Sequence, residues 1–200
     1  MYIPEYQKNK NSSEIKQFLR EHSFGILVTQ SQGKPTATHI PLALEVDDRG
    51  KEVLTGHIAK ANQQWKDFGQ NQEVLCIFNG PHAYISSSWY QEEEVPTWNY
   101  IAVHVYGKIK ILSEKEVMAS LHRLVDTYEA GSQNPVSLST MSASTLKQVK
   151  GIVGFQIEIT DIQAKYKLSQ NREQDHPRII AELEKRNDGG SREISKRMKT

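Results

Sequence analysis

Apolar and polar residues alternate with a period of two along much of this chain, a pattern typical of half-buried β-strands. Turn sequences at 31–35 and 47–50 separate neighbouring segments at hairpin spacing, and Asn79-Gly80-Pro81 is expected to end another strand. Strands in series, without regular alternation with helices, favour an antiparallel barrel. The predicted strands are 24–29, 36–46 (with Pro41 at an edge or bulge), 52–58, 73–78, 82–85, 100–112 and 151–166.

Helical patterns occur only at the periphery of this strand series. Ser12 or Ser13 is expected to cap the first helix, and the capping box of Ser113 and Glu116 predicts another that runs to about 130. Shorter helices are predicted at 59–68 and 145–149, and a last one at 175–186 with Pro177 in its first turn. The fold class is therefore mainly β with peripheral helices, an antiparallel barrel.

Composition and charge narrow the class of protein. The 200 residues include 37% hydrophobic and 24% charged residues, with a net charge of +1, so no strong overall field favours nucleic acid. No apolar run approaches the ~20 residues of a membrane span, and no secretory signal precedes the first helix. Cys76 is the single cysteine and the histidines lack metal-ligand spacing, so we expect no disulfide, no metal, no membrane and a cytoplasmic location.

The positive charge is concentrated at the C-terminus, where residues 185–200 carry six Lys or Arg against two acids. Because this stretch is polar and contains a Gly pair, residues 187–200 are predicted to be a mobile tail. The predicted organisation is one domain over 1–170, followed by a C-terminal helix and basic tail over 171–200. A basic tail can touch phosphates, but it is more often only solvated.

Aromatic residues are concentrated between 82 and 106, which hold six of the 16 in the chain. They are interleaved with Ser, Thr and Asn residues. Aromatic faces beside hydroxyl and amide groups suit a flat heteroaromatic ligand, but they suit a barrel rim or a dimer interface equally well. Composition alone leaves these interpretations open.

Three further segments carry polar groups that could contact a ligand. Lys60 and Asn62 lie where a strand gives way to a helix, and free N–H groups at a helix start bind phosphate. Thr38 and His39 are neighbours in a strand and therefore point to opposite faces. The segment 165–171 follows the last strand, where it could close a polar pocket or simply form a turn. No dinucleotide, P-loop, zinc-protease or serine-hydrolase motif is present, and no catalytic residue can be assigned.

Taken together, these segments resemble one known family. The runs MYIPEY, ATHIPLAL, GHIAKANQQW, FNGPHAYISSSWY, VPTWNYIAVHVYG and KLSQNR occur in this order over roughly residues 1–185. They are similar to the PaiB family, described as FMN-binding negative transcriptional regulators linked to repression of protease synthesis and sporulation genes. The resemblance implies a split β-barrel, FMN as cofactor, and a homodimer with a flavin cleft shared at each side of its interface.

The resemblance also implies a set of flavin-binding residues. His57, Lys60 and Asn62 would surround the phosphate and ribityl chain, with Thr38 and His39 on the strand beside them. Trp98 and Asn99, or Ser86, Ser87 and Trp89 of the segment 86–89, would approach the ring from the second subunit, and the segment that contains Lys167, Ser169 and Gln170 would help to close the site.

The biochemical activity that underlies the regulation described for this family stays open at this point. No DNA-binding motif is present, and the 114–130 helix is rich in acids, so direct contact with DNA depends on the basic tail alone. An FMN-dependent oxidoreductase acting on an unidentified small molecule, with an indirect regulatory effect, is the alternative. A protein that stores flavin or haem is a third possibility.

Overall fold

The computed structural model describes residues 1–31, 33–69 and 72–199. These residues form seven strands: β1 (Phe24–Ser31), β2 (Lys34–Pro41), β3 (Ala43–Val46), β4 (Glu52–Ala59), β5 (Glu73–Ile85), β6 (Thr97–Ile111) and β7 (Ile152–Lys167). They also form five α-helices: α1 (Ser12–Glu21), α2 (Glu114–Glu129), α3 (Ala143–Leu146), α4 (His176–Lys185) and α5 (Gly189–Met198). Short 3-10 turns include Gln63–Asp67 and Ser87–Trp89. The predicted class, mainly β with peripheral helices, is confirmed.

The strands form one sheet in the order β2-β1-β5-β6-β7-β4-β3. Pairing is antiparallel between β1 and β2, β1 and β5, β3 and β4, and β4 and β7. The β1–β2 hairpin turns at Gly33, whose φ of 80° is a left-handed conformation that favours glycine. Gln32, in the predicted turn, lies outside the described residues.

The prediction of a single strand over 36–46 is wrong, because the chain changes partner near Pro41. β2 pairs with β1 as far as Pro41, whereas β3 pairs with β4 from Ala43 onwards. Leu42 alone separates β2 from β3 and is completely buried. Since β2 and β3 are the two ends of the strand order, this single residue joins the two edges of the sheet. Pro41 lacks an N–H and is suited to such a break.

The predicted strand end at Asn79-Gly80-Pro81 is also wrong, because β5 runs without interruption from Glu73 to Ile85. A Cβ atom at Gly80 would lie 2.7 Å from Cε2 of Phe18, whose side chain in α1 is buried. Gly80 therefore serves the close approach of α1 to the strand and does not mark a turn.

The chain divides into two compact units. The first unit contains Met1–Phe18, Phe78–His104 and the residues from Gln163 onwards, and the second contains Leu19–Ile77 and Val105–Ile162. In the second unit, buried residues of β1, β4, β5 and β7, such as Leu27, Leu54, Cys76 and Phe155, form the core. Helix α2 begins with the predicted capping box: the Ser113 side chain accepts a hydrogen bond from the Glu116 N–H, and the Glu116 carboxylate accepts one from the Ser113 N–H.

The first unit has a core in which the C-terminal helices pack on β5. Its buried members are Ala83, Ile85, Tyr90, Ile179, Leu183, Ile194 and Met198. The prediction of a mobile tail over 187–200 is therefore wrong: α5 buries Ile194 and Met198, which are one helical turn apart. A Cβ atom at Gly190 would lie 2.6 Å from the carbonyl oxygen of His82. One glycine of the pair thus permits close packing of α5.

Helix α1 is capped by a different residue from those expected. It begins at Ser12, and the Glu14 N–H donates to Oδ1 of Asn11 at 3.2 Å. Asn is among the best N-cap residues, and it stands one position before the predicted Ser12. Helix α4 has the predicted proline, Pro177, in its first turn.

Candidate functional site

The short turn that follows β4 is held in the second unit by a network of amide and hydroxyl groups around the buried side chain of Gln64. Thr38 donates its hydroxyl proton to Oε1 of Gln64 and accepts a hydrogen bond from Nδ2 of Asn62 at 3.0 Å. Oδ1 of Asn62 accepts the Gln64 N–H at 3.0 Å and so caps the 3-10 turn. The structure therefore brings together two of the predicted residues, Thr38 and Asn62.

Gln64 is the residue that sequence reasoning missed in this network. It is only 3% exposed, and its Nε2 lies within hydrogen-bonding distance of the Leu27 carbonyl, the Thr29 hydroxyl and the Thr36 carbonyl. Gln64 is the second of two adjacent glutamines in the run GHIAKANQQW. Since a glutamine beside another glutamine carries no periodic signal, nothing in the sequence distinguished its buried side chain from the exposed one of Gln63.

Lys60 stands on this turn with an exposed side chain. We call residues 59–62 the Lys60 turn; the Lys60 N–H donates to the Gly151 carbonyl at 2.8 Å, and the Asn62 N–H donates to the Ala59 carbonyl at 2.9 Å. The Lys60 side chain is exposed and forms no ion pair with any residue in the described ranges. Its backbone is therefore fixed while its ammonium group is available to an anion.

His57 and Thr55 lie on the same side of β4, two residues apart. Burial lowers the pKa of His57 below its ordinary value, so the imidazole is neutral at pH 7 and offers one donor and one acceptor. The Thr55 hydroxyl is buried without a hydrogen-bond partner in the described part of the chain. The sequence indicated His57 on this side of β4, but it did not indicate Thr55.

The chemistry of these groups fits the phosphate and ribityl portions of FMN. The available groups are the Lys60 ammonium, the second N–H of the Asn62 amide and the neutral imidazole of His57. A cation with nearby N–H donors suits a phosphate, and mixed donors and acceptors suit hydroxyl groups. His39 is exposed on the opposite face of β2 from Thr38, as strand geometry predicts, and its ring stands 6.4 Å from that of Phe24.

One predicted ring-side residue, Trp98, lies in an exposed aromatic cluster of the first unit. We define the aromatic patch as His82, Tyr84 and Trp98. Trp98 is 52% exposed, and its ring lies 5.8 Å from Tyr84 in an edge-to-face arrangement and 5.9 Å from His82. An exposed cluster of this kind is available to a flat ligand or to a protein partner.

The neighbouring segment 86–89 is a 3-10 turn next to this patch in sequence. Ser86 accepts a hydrogen bond from the Ser88 N–H at 3.3 Å, and Ser87 is exposed. The Trp89 ring lies 4.5 Å below the guanidinium group of Arg186, whose Nη1 donates to the Tyr84 carbonyl. Arg186 therefore orders both this turn and the adjoining strand by a cation–π contact and a hydrogen bond.

Asn99 and the segment after β7 are joined by buried hydrogen bonds. Asn99 is fully buried; its Oδ1 accepts a hydrogen bond from Ser169 at 3.1 Å, and its Nδ2 contacts Sδ of Met198 at 3.6 Å. Ser169 has a left-handed φ of 59°, and Gln170 accepts a hydrogen bond from the Leu168 N–H at 2.8 Å. These bonds give Asn99, Ser169 and Gln170 a structural role, and their contact with flavin stays a prediction. Lys167 donates to the Thr97 hydroxyl.

The predicted residues thus fall into two groups, one in each compact unit. Thr38, His39, His57, Lys60 and Asn62 belong to the second unit, whereas the remaining eight belong to the first. Among residues 1–31, 33–69 and 72–199, no group of three or more His, Cys, Asp or Glu side chains could hold a metal ion. No helix within those ranges has the length and hydropathy needed to cross a bilayer.

Solved structures of flavin-binding proteins share this fold. The FAD and heme binding protein of Mycobacterium smegmatis has a TM-score of 0.63 at 13% identity, covering 80% of this chain and 73% of that one. The flavocytochrome Anf3 of Azotobacter vinelandii has a TM-score of 0.62 at 15% identity, covering 82% and 72%. The predicted split-barrel fold is confirmed.

Sequence relatives extend over nearly the whole chain. The "Protease synthase and sporulation protein PAI 2" of Bacillus subtilis is 47% identical over 200 residues, 99% of this chain and 96% of the relative. An uncharacterized protein of Emericella nidulans is 30% identical over 92% of this chain and 90% of its own length. The family described as "Putative FMN-binding domain" matches residues 1–161. The chain therefore belongs to this FMN-binding family, and FMN is its cofactor.

Proposed function

We propose that this protein is an FMN-binding negative regulator of protease synthesis and sporulation genes, acting as a homodimer with shared flavin clefts. Membership of an FMN-binding family and 47% identity to the Bacillus subtilis relative support the proposal. The observation that carries the flavin part is the Lys60 turn: its ammonium group has no ion-pair partner among the described residues, and its backbone is fixed by the network of Thr38, Asn62 and Gln64.

The roles proposed for Lys60, Asn62, His57 and Thr38 in the flavin site follow from their chemistry. Lys60 and Asn62 bind the phosphate, and His57 hydrogen-bonds the ribityl chain in its neutral form. Thr38 orients Asn62, and His39 stands at the outer face of β2. The ring side is formed by the first-unit residues Ser86, Ser87, Trp89, Trp98, Asn99, Lys167, Ser169 and Gln170, in part from the partner subunit. When bound, the flavin supplies one- or two-electron redox chemistry.

A titration of the purified protein with FMN tests the flavin site. FMN fluorescence is followed for the wild type, for Lys60→Met and for the control Lys66→Met, which removes an exposed lysine of the adjoining 3-10 turn. We expect Lys60→Met to raise the Kd for FMN on the order of tenfold or more, because a charge-assisted hydrogen bond is lost. Its Kd for riboflavin, which lacks the phosphate, should stay unchanged. Equal FMN affinities in all three proteins would refute the assignment of Lys60.

The surface charges favour regulation through the flavin over direct DNA binding. Three basic residues near the C-terminus are paired with carboxylates: Lys196 with Glu193, Arg197 with Glu14 and Lys199 with Glu184. Lys196 and Arg197 lie in α5 and Lys199 follows it; α5 is packed into the core of the first unit and is not a free arm. Basic side chains that are already neutralised release few counterions from DNA and bind it weakly.

Complementation tests this link between flavin and regulation. In Bacillus subtilis that lacks its PAI 2 protein, secreted protease activity is measured with the wild-type chain, Lys60→Met or Lys66→Met supplied. We expect the wild type and Lys66→Met to lower protease activity and Lys60→Met to fail at equal protein level. A Lys60→Met chain that is as active as the wild type would separate the regulatory effect from the flavin.

A further inference from the structure

Two lysines that occupy the end of β7 in the first unit have unusual surroundings. Lys165 and Lys167 are two residues apart in the strand and so lie on the same side of it. Lys165 is only 7% exposed; its Nζ donates to the Tyr2 carbonyl at 3.3 Å and lies 5.6 and 5.2 Å from the ring centroids of Tyr2 and Tyr100. Lys167 is half-buried and donates to the Thr97 hydroxyl.

The positive charges of this pair are not balanced by any carboxylate in the part of the chain that the structure describes. Neither lysine forms an ion pair with a carboxylate anywhere in the described residues, although exposed lysines such as Lys51 and Lys199 do. The pKa of Lys167 is lowered, first by burial and then by the charge of Lys165, so the two ammonium groups repel each other. The groups that contact the two ammonium groups are a carbonyl, a hydroxyl and two aromatic rings, and none of them carries a full negative charge. Burying charges without an opposite charge is costly, and an anion between them would remove that cost.

The spacing of the two lysines suits a single oxyanion. Side chains two residues apart on a strand are separated by about 6.6 Å at their Cα atoms. One phosphate or carboxylate group can accept a hydrogen bond of about 2.8 Å from each ammonium group across such a gap. The rings of Tyr2 and Tyr100 lie against Lys165 and offer apolar surface to the rest of an organic ligand.

We propose that Lys165 and Lys167 form a second ligand position, which binds the phosphate or carboxylate group of a small organic anion in addition to the flavin phosphate bound at Lys60. Lys165 is not one of the predicted flavin-binding residues. Lys167 is shared with the proposed flavin site, and for that reason the test separates the two ligands.

Inorganic phosphate is the probe for this position. Its binding to the FMN-free protein is measured by isothermal titration calorimetry in chloride buffer for the wild type, Lys165→Met, Lys167→Met and Lys165→Arg. The matched control is Lys108→Met, which removes an exposed lysine of β6. Methionine keeps the length and apolar stem of lysine and removes the charge.

We expect the wild type, Lys108→Met and Lys165→Arg to bind phosphate with affinities within about threefold of one another. Each methionine variant of the pair should weaken binding on the order of tenfold, since one charge-assisted hydrogen bond is lost. Absence of phosphate binding in the wild type, or equal binding in every variant, overturns the proposal. Thermal unfolding of each variant shows whether a variant with weakened binding is still folded, and we expect every variant to unfold cooperatively. If Lys165→Met does not fold, the phosphate affinities of Lys167→Met and Lys165→Arg decide.

Repeating the titration in saturating FMN identifies the source of the anion. Phosphate affinity unchanged by FMN supports a separate second ligand. Loss of phosphate binding in FMN, but not in riboflavin, overturns the second position, because the flavin phosphate itself then occupies the pair. A protein that binds phosphate through the pair but no FMN would refute only the proposed function, and one that binds FMN but no phosphate would refute only this inference.

Discussion

At the scale of single residues, Gln64 and Asn62 show how an ordinary polar sequence fixes the Lys60 turn. Gln64 is surrounded by hydrogen-bonding partners from β1, β2 and its own turn, and Asn62 uses both ends of its amide. The sequence indicated the phosphate chemistry through Lys60 and Asn62, since a cation and an amide near a helix start have a known use. It could not indicate Gln64, because its partners are brought together only by the pairing of β1 with β2.

Replacing Gln64 should cost more stability than replacing its neighbour. In Gln64→Ala, the Thr29 and Thr38 hydroxyls and two strand carbonyls lose their buried partner, and we expect unfolding to become easier by about 2–3 kcal/mol. Gln63→Ala is the control, because Gln63 is exposed and its side-chain amide donates to the nearby Ala61 carbonyl. Its expected change is below about 0.5 kcal/mol. Urea unfolding measures both, and equal losses would show that the network does not stabilise the turn.

His57 should make stability depend on pH in a defined window. Its folded pKa is lowered by burial, whereas the unfolded chain has the ordinary value of about 6.5. Below pH 6.5 the unfolded state binds more protons at this site, so its contribution to stability is complete above that pH. The contribution is lost as the pH falls toward the lowered folded pKa.

The corresponding measurement compares urea unfolding at pH 7.5 and pH 5.5 for the wild type and His57→Gln. We expect the wild type to lose more stability on acidification than the variant, which lacks this ionisation. An identical loss in both proteins would mean that burial of His57 does not perturb its protonation. His104, whose pKa is lowered by burial and by the positive N-terminus, should contribute in the same direction.

At the scale of elements, the sequence pattern is misleading where two elements pack closely against each other at a glycine. The capping box of α2, the proline of α4 and most strand positions were predictable, because each rests on local chemistry. The continuity of β5 and the helix α5 were not. In both places a glycine that resembles a turn signal instead makes room for a packed neighbour, Phe18 at Gly80 and the His82 carbonyl at Gly190.

The two glycines at the start of α5 offer a matched test of that packing. In Gly190→Ala, the new Cβ would lie 2.6 Å from the His82 carbonyl oxygen, and we expect a loss of about 1–3 kcal/mol in unfolding free energy. In Gly189→Ala, the new Cβ meets nothing within 4 Å, so stability should stay constant or rise by up to about 1 kcal/mol. If both variants behave alike in urea, α5 is not packed on β5 at this point.

At the scale of the whole molecule, the predicted homodimer has a candidate contact surface in the aromatic patch. Trp98 leaves 52% of its surface exposed on a strand face beside Tyr84. Exposed aromatic residues of this kind are enriched at protein interfaces, and they are available whether or not flavin lies between the subunits. The sequence indicated the cluster but could not decide between a flat ligand and a partner chain, since both require the same side chains.

Removing this aromatic surface should weaken the dimer. We expect Trp98→Ser to shift the protein toward monomer at micromolar concentration, because a large apolar contact is lost. Tyr128→Ser removes another exposed aromatic ring, 55% exposed on α2, and should leave the mass unchanged. Light scattering during size-exclusion chromatography measures both. A wild-type monomer, or a dimer unaffected by Trp98→Ser, would refute this interface.

The central claim, that this fold binds FMN, is tested most directly by the absorbance spectrum of the protein after incubation with excess FMN and desalting. We predict flavin bands that remain with the protein at about one FMN per chain and that are lost in Lys60→Met but kept in Lys66→Met. A desalted wild-type protein without flavin absorbance would contradict the account.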